Sequence, residues 1–258
     1  MFDLTGKVAL VTGAGQGVGA GIASALASQG ASVAVNDVVT ERAELCATEL
    51  AAKLAAELAT STPKVIAAPF DVTDRVAVES GTSQVASNLG PIDILVNNAG
   101  NAGANTFEPT RFSELDPDHW QKFIDVNLYG VLNCTKAVIS SMQTRRWGRI
   151  ITISSGAGQS GLDLGVSIYG AAKGGSIAFM RHIAIENAKM GITANSLALG
   201  LMNTIDDPTV TQHLERVIPV GRLGSPEDIG AACVWLASEE AEWVTNQTIG
   251  INGGSLPS

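Results

Sequence analysis

The sequence predicts one doubly wound α/β domain, a parallel sheet of seven strands with helices on both faces. Three observations predict it. Short β-branched runs alternate with longer helical patterns along all 258 residues, as strand–helix–strand crossovers require. Several of the short runs are apolar nearly throughout, as strands covered on both faces must be. The composition is 45% hydrophobic but only 5% aromatic, so Ala, Val, Ile and Leu fill the core and helices can lie close on the sheet.

The elements follow in order. "KVALVTG" (7–13) is the first strand and runs into Gly13, Gly15, Gly17 and Gly19 ahead of an Ala-rich helix. "ASVAVND" (31–37) is the second. The next helix sets Leu50, Leu54 and Leu58 four apart, an apolar stripe on one face, with Glu49 and Lys53 as an i,i+4 pair on its wetter side. "KVIAAPFDV" (64–72), "IDILVNNAG" (92–100), "GRIITISS" (148–155), "GITANSLAL" (191–199) and "TIGINGG" (248–254) complete the seven. Two stretches break the rhythm, 101–117 and 200–220. Both follow strand ends, where open α/β sheets bind ligands, and both read as substrate-pocket walls. No linker-like tract or repeat divides the chain, so residues 1–258 read as a single domain.

The formal charge of −9 argues against nucleic acid, which demands a basic face. The one basic cluster, Arg145, Arg146 and Arg149 around Trp147, reads as a solvated helix end. Cys46, Cys134 and Cys233 have neither disulfide nor metal-ligand spacing, which predicts a reducing, cytoplasmic setting and no metal site. The start "MFDLTGKVALVTGAG" lacks the apolar core of a signal peptide. No run approaches the ~18 apolar residues that span a bilayer, so no membrane is expected as a partner.

Glycines between a strand and a helix let an anion approach backbone N–H groups at the helix start, the geometry that binds a dinucleotide pyrophosphate. Asp37 lies 18 residues beyond Gly19, close to the ~20 expected of the acid that accepts from an adenosine ribose. The competing role for Asp37 is a cap on the following segment. A carboxylate there repels a 2′-phosphate, and none of Gln16, Asn36 and Val38 supplies a cation. NAD(H) is therefore expected in preference to NADP(H).

"SIYGAAKGG" (167–175) places Tyr169 one helical turn before Lys173. It reads either as an ordinary surface pair or as a proton donor beside a charge. A free phenol titrates near ~10, and an ammonium on the same helix face favours the phenolate. Tyr129, the only other tyrosine, reads as core or interface. His119, His182 and His213 are unpaired at metal-ligand spacing and read as surface or packing residues.

Together these residues resemble the short-chain dehydrogenase/reductase family over essentially the whole chain, close in pattern to its 3-oxoacyl-acyl-carrier-protein reductases. The family's T-G-x-x-x-G-x-G motif is matched by Thr12, Gly13, Gly17 and Gly19. The resemblance implies a Rossmann fold, with Gly13, Gln16, Gly17, Val18 and Gly19 along the pyrophosphate and Asp71 and Val72 beside the adenine. It sets Asn98, Ala99 and Gly100 of "NNAG" at the nicotinamide ribose and Gly200 and Thr204 near the carboxamide. It implies a catalytic set of Asn127, Ser155, Tyr169 and Lys173, with Lys173 also gripping the ribose, and a homotetramer. Leu199–Gly200 stands where the family has Pro-Gly.

The function expected is an NAD(H)-dependent oxidoreductase interconverting a secondary alcohol and a ketone, with Tyr169 as general acid and base. Ser155 would donate to the reacting oxygen, chosen over Ser154 because adjacent strand residues face opposite sides. The alternatives are a 3-oxoacyl-acyl-carrier-protein reductase and a non-catalytic dinucleotide-binding scaffold. A scaffold's expected mark is a lost catalytic group, and none is lost.

Overall fold

The computed structural model describes residues 1–57, 63–100, 109–203 and 208–256. Its strands are β1 (Val8–Val11), β2 (Ser32–Val35), β3 (Val65–Ala67), β4 (Ile94–Asn97), β5 (Gly148–Ser155), β6 (Ile192–Leu199) and β7 (Thr248–Ile251). They form one parallel sheet in the order β3-β2-β1-β4-β5-β6-β7. Each lies inside one of the seven runs read from the sequence. Where the strands are shorter, as at Gly13, Asp37, Val72 and Gly100, the remaining residues leave the ladder to build loops at one edge. Those loops carry the site.

The strands alternate faces, and two cores result. Ala9, Val11, Val33, Val35, Ile94, Val96, Ile151 and Ile153 pack against α1 (Gly17–Ser28), α2 (Thr40–Glu57) and α9 (Pro226–Ala237). Val8, Leu10, Ala34, Leu95, Ile150 and Ile192 pack against α3 (Arg75–Leu89), α5 (Gly130–Arg145) and α7 (Ser167–Asn187). This is why those strands read as unbroken apolar runs: neither face meets water. The shorter helices are α4 (Trp120–Ile124), α6 (Gly156–Gln159) and α8 (Pro208–Val217). The order reverses between β1 and β4, so the loops leaving those two strands diverge and open a crevice at the switch point.

On α2 the stripe of Leu50 and Leu54 is buried, while Leu58 lies outside the described residues. The Glu49–Lys53 pair does not form. Lys53 Nζ reaches Ser24 Oγ of α1 at 3.4 Å instead, because docking against a neighbouring helix offers a partner that an isolated helix lacks.

The basic cluster is also not a solvated helix end. Arg149 is only 2% exposed; it lies over the Trp147 ring and reaches Glu239 Oε2 at 3.4 Å. Arg145 pairs with Asp93 and donates to the Ile92 carbonyl. Only Arg146, the left-handed residue closing α5, fits the surface reading. Strand β5 begins two residues after that cap and draws Arg149 inward, which charge counting along the chain cannot show.

No helix among the described residues is long and apolar enough to cross a membrane. Cys46, Cys134 and Cys233 are free thiols, and the three histidines are exposed. Tyr129 is 49% exposed, so of its two expected places the core is ruled out: it sits on a π-helical turn, Asp125–Tyr129, that rotates it outward.

Candidate active site

The glycine loop is stitched to the loop after β4. Thr12 Oγ1 accepts from the N–H of Asn98 and of Ala99, each at 3.0 Å. Asn98 Nδ2 returns bonds to the carbonyls of Thr12 and Gly13, both at 2.9 Å. A Cβ on Gly19 would lie 2.3 Å from the Gly13 oxygen, and one on Gly13 would lie 2.8 Å from Ala99 Cα. These two glycines therefore serve the packing of loop on loop. Gly13 and Gly17 are both left-handed, at φ +60° and +57°, but a Cβ on Gly17 would point into open space.

Gln16 precedes α1 with extended backbone and makes no side-chain cap. The first N–H groups of α1 are thus left for an outside acceptor, with a positive helix end behind them. Val18 turns inward against the core beneath. An uncapped helix start, a bare left-handed glycine and a crevice at the switch point together suit a pyrophosphate.

Asp37 is buried at the end of β2. Its Oδ2 accepts from Gly15 N at 3.3 Å and its Oδ1 from Val39 N at 3.0 Å. It caps the next segment and also faces a groove of about 480 Å³ that Gly13, Gln16, Asp71, Val72 and Asn98–Gly100 help to line. Asp71 holds its own turn by accepting from Thr73, and Val72 packs where a Cβ on Gly130 would come within 2.8 Å.

Two groove residues escaped the sequence reading. Asn36 is fully buried: Nδ2 donates to the carbonyls of Ala68 and Phe70, and Oδ1 accepts from Gly13 N at 3.3 Å. It ties the glycine loop to the exit of β3, and its only signal was a polar residue closing an apolar strand. Arg42, in the first turn of α2, lines the same groove, so the wall beside Asp37 does carry a cation. Its spacing matches no motif, and only the fold brings it there.

The second half of the site lies on β5 and α7. Lys173 is buried and Nζ donates to the Ile153 carbonyl at 2.8 Å. Burial alone pulls its pKa down to about 8, so at neutral pH it remains mostly charged. Tyr169 lies with its ring centre 5.9 Å from that nitrogen. Burial pushes the phenol up, and the neighbouring Ser155 hydroxyl offsets part of the rise. Proximity to Lys173 does not by itself produce the lowered phenol expected from the sequence, because desolvation dominates.

Ser155 ends β5 half-buried, its Oγ accepting from Ala157 N at 3.2 Å. Ser154 is buried and donates to the Lys173 carbonyl at 3.2 Å, as alternation along the strand requires. Asn127 sits in the π-helical turn with Nδ2 donating to the Phe123 carbonyl. A Cβ on Gly100 would lie 2.9 Å from Asn127 Oδ1 and 3.3 Å from Lys173 Nζ. Gly100, Asn127 and Lys173 thus meet at one point, on the same loop as Asn98 and Ala99.

Gly200 leaves β6 pressed on Asn252 of the β7 exit. Thr204 lies outside the described residues, as do residues 101–108 of the first pocket wall. A larger groove of about 730 Å³ runs between Arg111–Ser113 and the 157–171 segment. It includes none of Ser155, Tyr169 and Lys173, so size does not mark the chemistry here.

A family model described as enoyl-(acyl carrier protein) reductase matches residues 13–255. The chain belongs to the short-chain dehydrogenase/reductase family. Among members of that family, the acetoacetyl-CoA reductase of Shinella zoogloeoides is 40% identical over 192 residues, covering 72% of this chain and 77% of the relative. The 3-oxoacyl-acyl-carrier-protein reductase of Salmonella typhimurium is 39% identical, covering 71% and 75%.

Solved short-chain dehydrogenase/reductase structures superpose along the whole chain. A gluconate 5-dehydrogenase from Burkholderia cenocepacia, in complex with NADP and tartrate, gives a TM-score of 0.84 at 33% identity, covering 98% of this chain and 96% of that one. A short-chain type dehydrogenase/reductase from Mycobacterium marinum gives 0.88 at 30%, covering 100% and 98%. The fold and the oxidoreductase class are thereby shared, and the protein is an enzyme of nicotinamide dinucleotides.

Proposed function

We propose that this enzyme interconverts a secondary alcohol and a ketone, using NAD(H) in preference to NADP(H), with Tyr169 moving the proton. The observation that carries the reading is the convergence of Ser155, Tyr169, Lys173, Asn127 and Gly100 beside a dinucleotide groove. When bound, the dinucleotide supplies or accepts the hydride. The amides at Gln16 to Gly19 hold the pyrophosphate, Asp37 the adenosine ribose, and Asp71 and Val72 flank the adenine. Asn98 to Gly100 border the nicotinamide ribose, which Lys173 also grips, and Gly200 stands at the carboxamide end, where the family pattern also expects Thr204.

Tyr169 gives its phenolic proton to the carbonyl oxygen in reduction and takes it back in oxidation. Ser155 donates a hydrogen bond to the same oxygen as negative charge develops. Lys173 carries its positive charge in a dry setting, where it acts on the phenolate more strongly than it would in water. Asn127, set against Lys173 and Gly100, holds the water through which the proton reaches solvent.

Tyr169→Phe tests this directly. General acid–base groups contribute about 10²–10⁴-fold, so turnover followed by nicotinamide absorbance falls by that factor while dinucleotide affinity is kept. Turnover within tenfold of wild type would remove Tyr169 from the mechanism.

A second reading, reduction of a 3-oxoacyl thioester, is favoured by the names of the 40% and 39% identical relatives. Docking of an acidic carrier protein finds little help in this chain, because Arg145 and Arg149 are already engaged internally. Turnover of acetoacetyl-CoA with NADH and with NADPH decides between the two. The family pattern and the exposed Tyr129 and Ile185 support a homotetramer, which sedimentation equilibrium tests. The free thiols suit the cytoplasm.

A further inference from the structure

The hydroxyl of Ser155 depends on a very short element. Ser155 is the N-cap of α6, and its Oγ accepts from Ala157 N at 3.2 Å. That bond fixes the hydroxyl oxygen and leaves its proton for Tyr169 or for a reacting oxygen. A single helical turn does not hold itself in place, so the four residues of α6 must be set from outside. Along α7 the contact is backbone on backbone: a Cβ on Gly170 would come within 2.7 Å of the Ala157 oxygen, and one on Gly158 within 2.9 Å of Gly174 N. The first residue of α6 meets the segment after β7 instead. Gly156 is buried, and a Cβ there would overlap Leu256 Cδ1 and lie 3.8 Å from Leu256 Cγ.

Asn252 brings Leu256 to that place. Its Nδ2 donates to the Leu256 carbonyl at 3.1 Å, its Oδ1 accepts from Gly254 N at 3.0 Å, and its carbonyl accepts from Ser255 N and Oγ. The backbone of Asn252 is itself pressed on Gly200. The chain leaving the edge strand β7 thus turns back across the exit of β6 and reaches the exit of β5, against the residue next to Ser155.

We propose that Leu256 is a positioning residue: its side chain wedges Gly156 and so holds the Ser155–Ala157 turn in which the Ser155 hydroxyl is aimed at the reacting oxygen. The inference rests on the proposed role of Ser155. Without the wedge, α6 can slide along α7, where Gly170 and Gly174 offer no side chain to interlock, and the Ser155 oxygen moves with Ala157 N. A misplacement of about 1 Å at a reacting group is enough to cost rate.

The test is NADH-dependent reduction of ethyl acetoacetate, acetoin, cyclohexanone and acetoacetyl-CoA, taking the ketone that wild type reduces fastest. Leu256→Ala is expected to lower kcat/KM by about tenfold, less than the ~10²–10³ of losing an oxyanion donor outright. Calorimetry with NAD+ should show a dissociation constant within about twofold of wild type. Leu256→Met, similar in volume, should keep the wild-type rate. In a Ser155→Ala background, L256A should change kcat/KM by less than about twofold, because the group it positions is gone. An equal loss in both backgrounds, or no loss in L256A alone, overturns the positioning role. Wild-type activity in S155A is a different failure, that of the reading of Ser155. Inactivity of wild type on all four ketones overturns the ketone reading, and this inference with it.

Discussion

Lys173 Nζ donates to the Ile153 carbonyl at 2.8 Å, and Tyr169, one helical turn earlier on α7, keeps its ring centre 5.9 Å from that nitrogen. The ammonium is anchored to the sheet, so its action on the phenol is that of a charge across a gap. It retains two further protons for the point where Gly100 and Asn127 approach it. The lysine is thus held by β5 while its charge serves the site.

Gly100 is the tightest part of that arrangement. In Gly100→Ala the new methyl carbon would lie 2.9 Å from Asn127 Oδ1 and 3.3 Å from Lys173 Nζ, too close for either to stay in place. Overpacking of this kind costs about 1–3 kcal/mol. The variant is expected to fold with a lowered melting temperature and to lose at least about tenfold in kcat/KM, one factor of ten being about 1.4 kcal/mol of transition-state stabilisation. Kinetics within twofold of wild type would show that the three groups do not act together.

The buried ammonium has a signature in stability against pH. The folded chain releases the Lys173 proton near 8, whereas its ordinary value is 10.5. Between those values the unfolded chain binds more protons, so this group makes the fold more stable as pH rises. Below 8 both states are protonated and the contribution is flat. Relative to Lys173→Met, wild type should therefore gain by up to about 1.4 kcal/mol per pH unit above pH 8. Comparing the two also cancels the buried cysteines Cys134 and Cys233, whose raised values act in the opposite sense. Urea unfolding at pH 7.5, 8.5 and 9.5 measures the gap, and a constant gap contradicts the burial argument.

Arg149 separates buried from exposed charge. It donates to the carbonyls of Ser238, Gly148 and Gly191 and covers Trp147. Arg149→Ala abandons those acceptors and leaves a cavity, for a loss of about 2–4 kcal/mol. Glu239, whose side chain is 58% exposed, contributes as a surface ion does, so Glu239→Gln should cost less than about 1 kcal/mol. Denaturant unfolding of both variants checks the order, and equal losses would place the stabilisation in the ion pair.

Much of the site was legible along the chain because its parts are local. Gly13 to Gly19 and the helix that follows are continuous, and Tyr169 and Lys173 share a helix face by spacing alone. The alternation of Ala9 and Val11 against Val8 and Leu10 needed no third dimension to announce a strand covered twice. These features follow from 3.6-residue and two-residue periods, which the order of residues fixes by itself. Other features depend on which strand lies beside which. Asn36 joins the glycine loop to the exit of β3, and Arg149 turns from a surface cluster into the interior. The phenol's upward shift belongs here too, since it arises from burial among neighbours that α7 meets only when packed. Contacts across the sheet come from segments far apart in the chain, and no period within one segment encodes them.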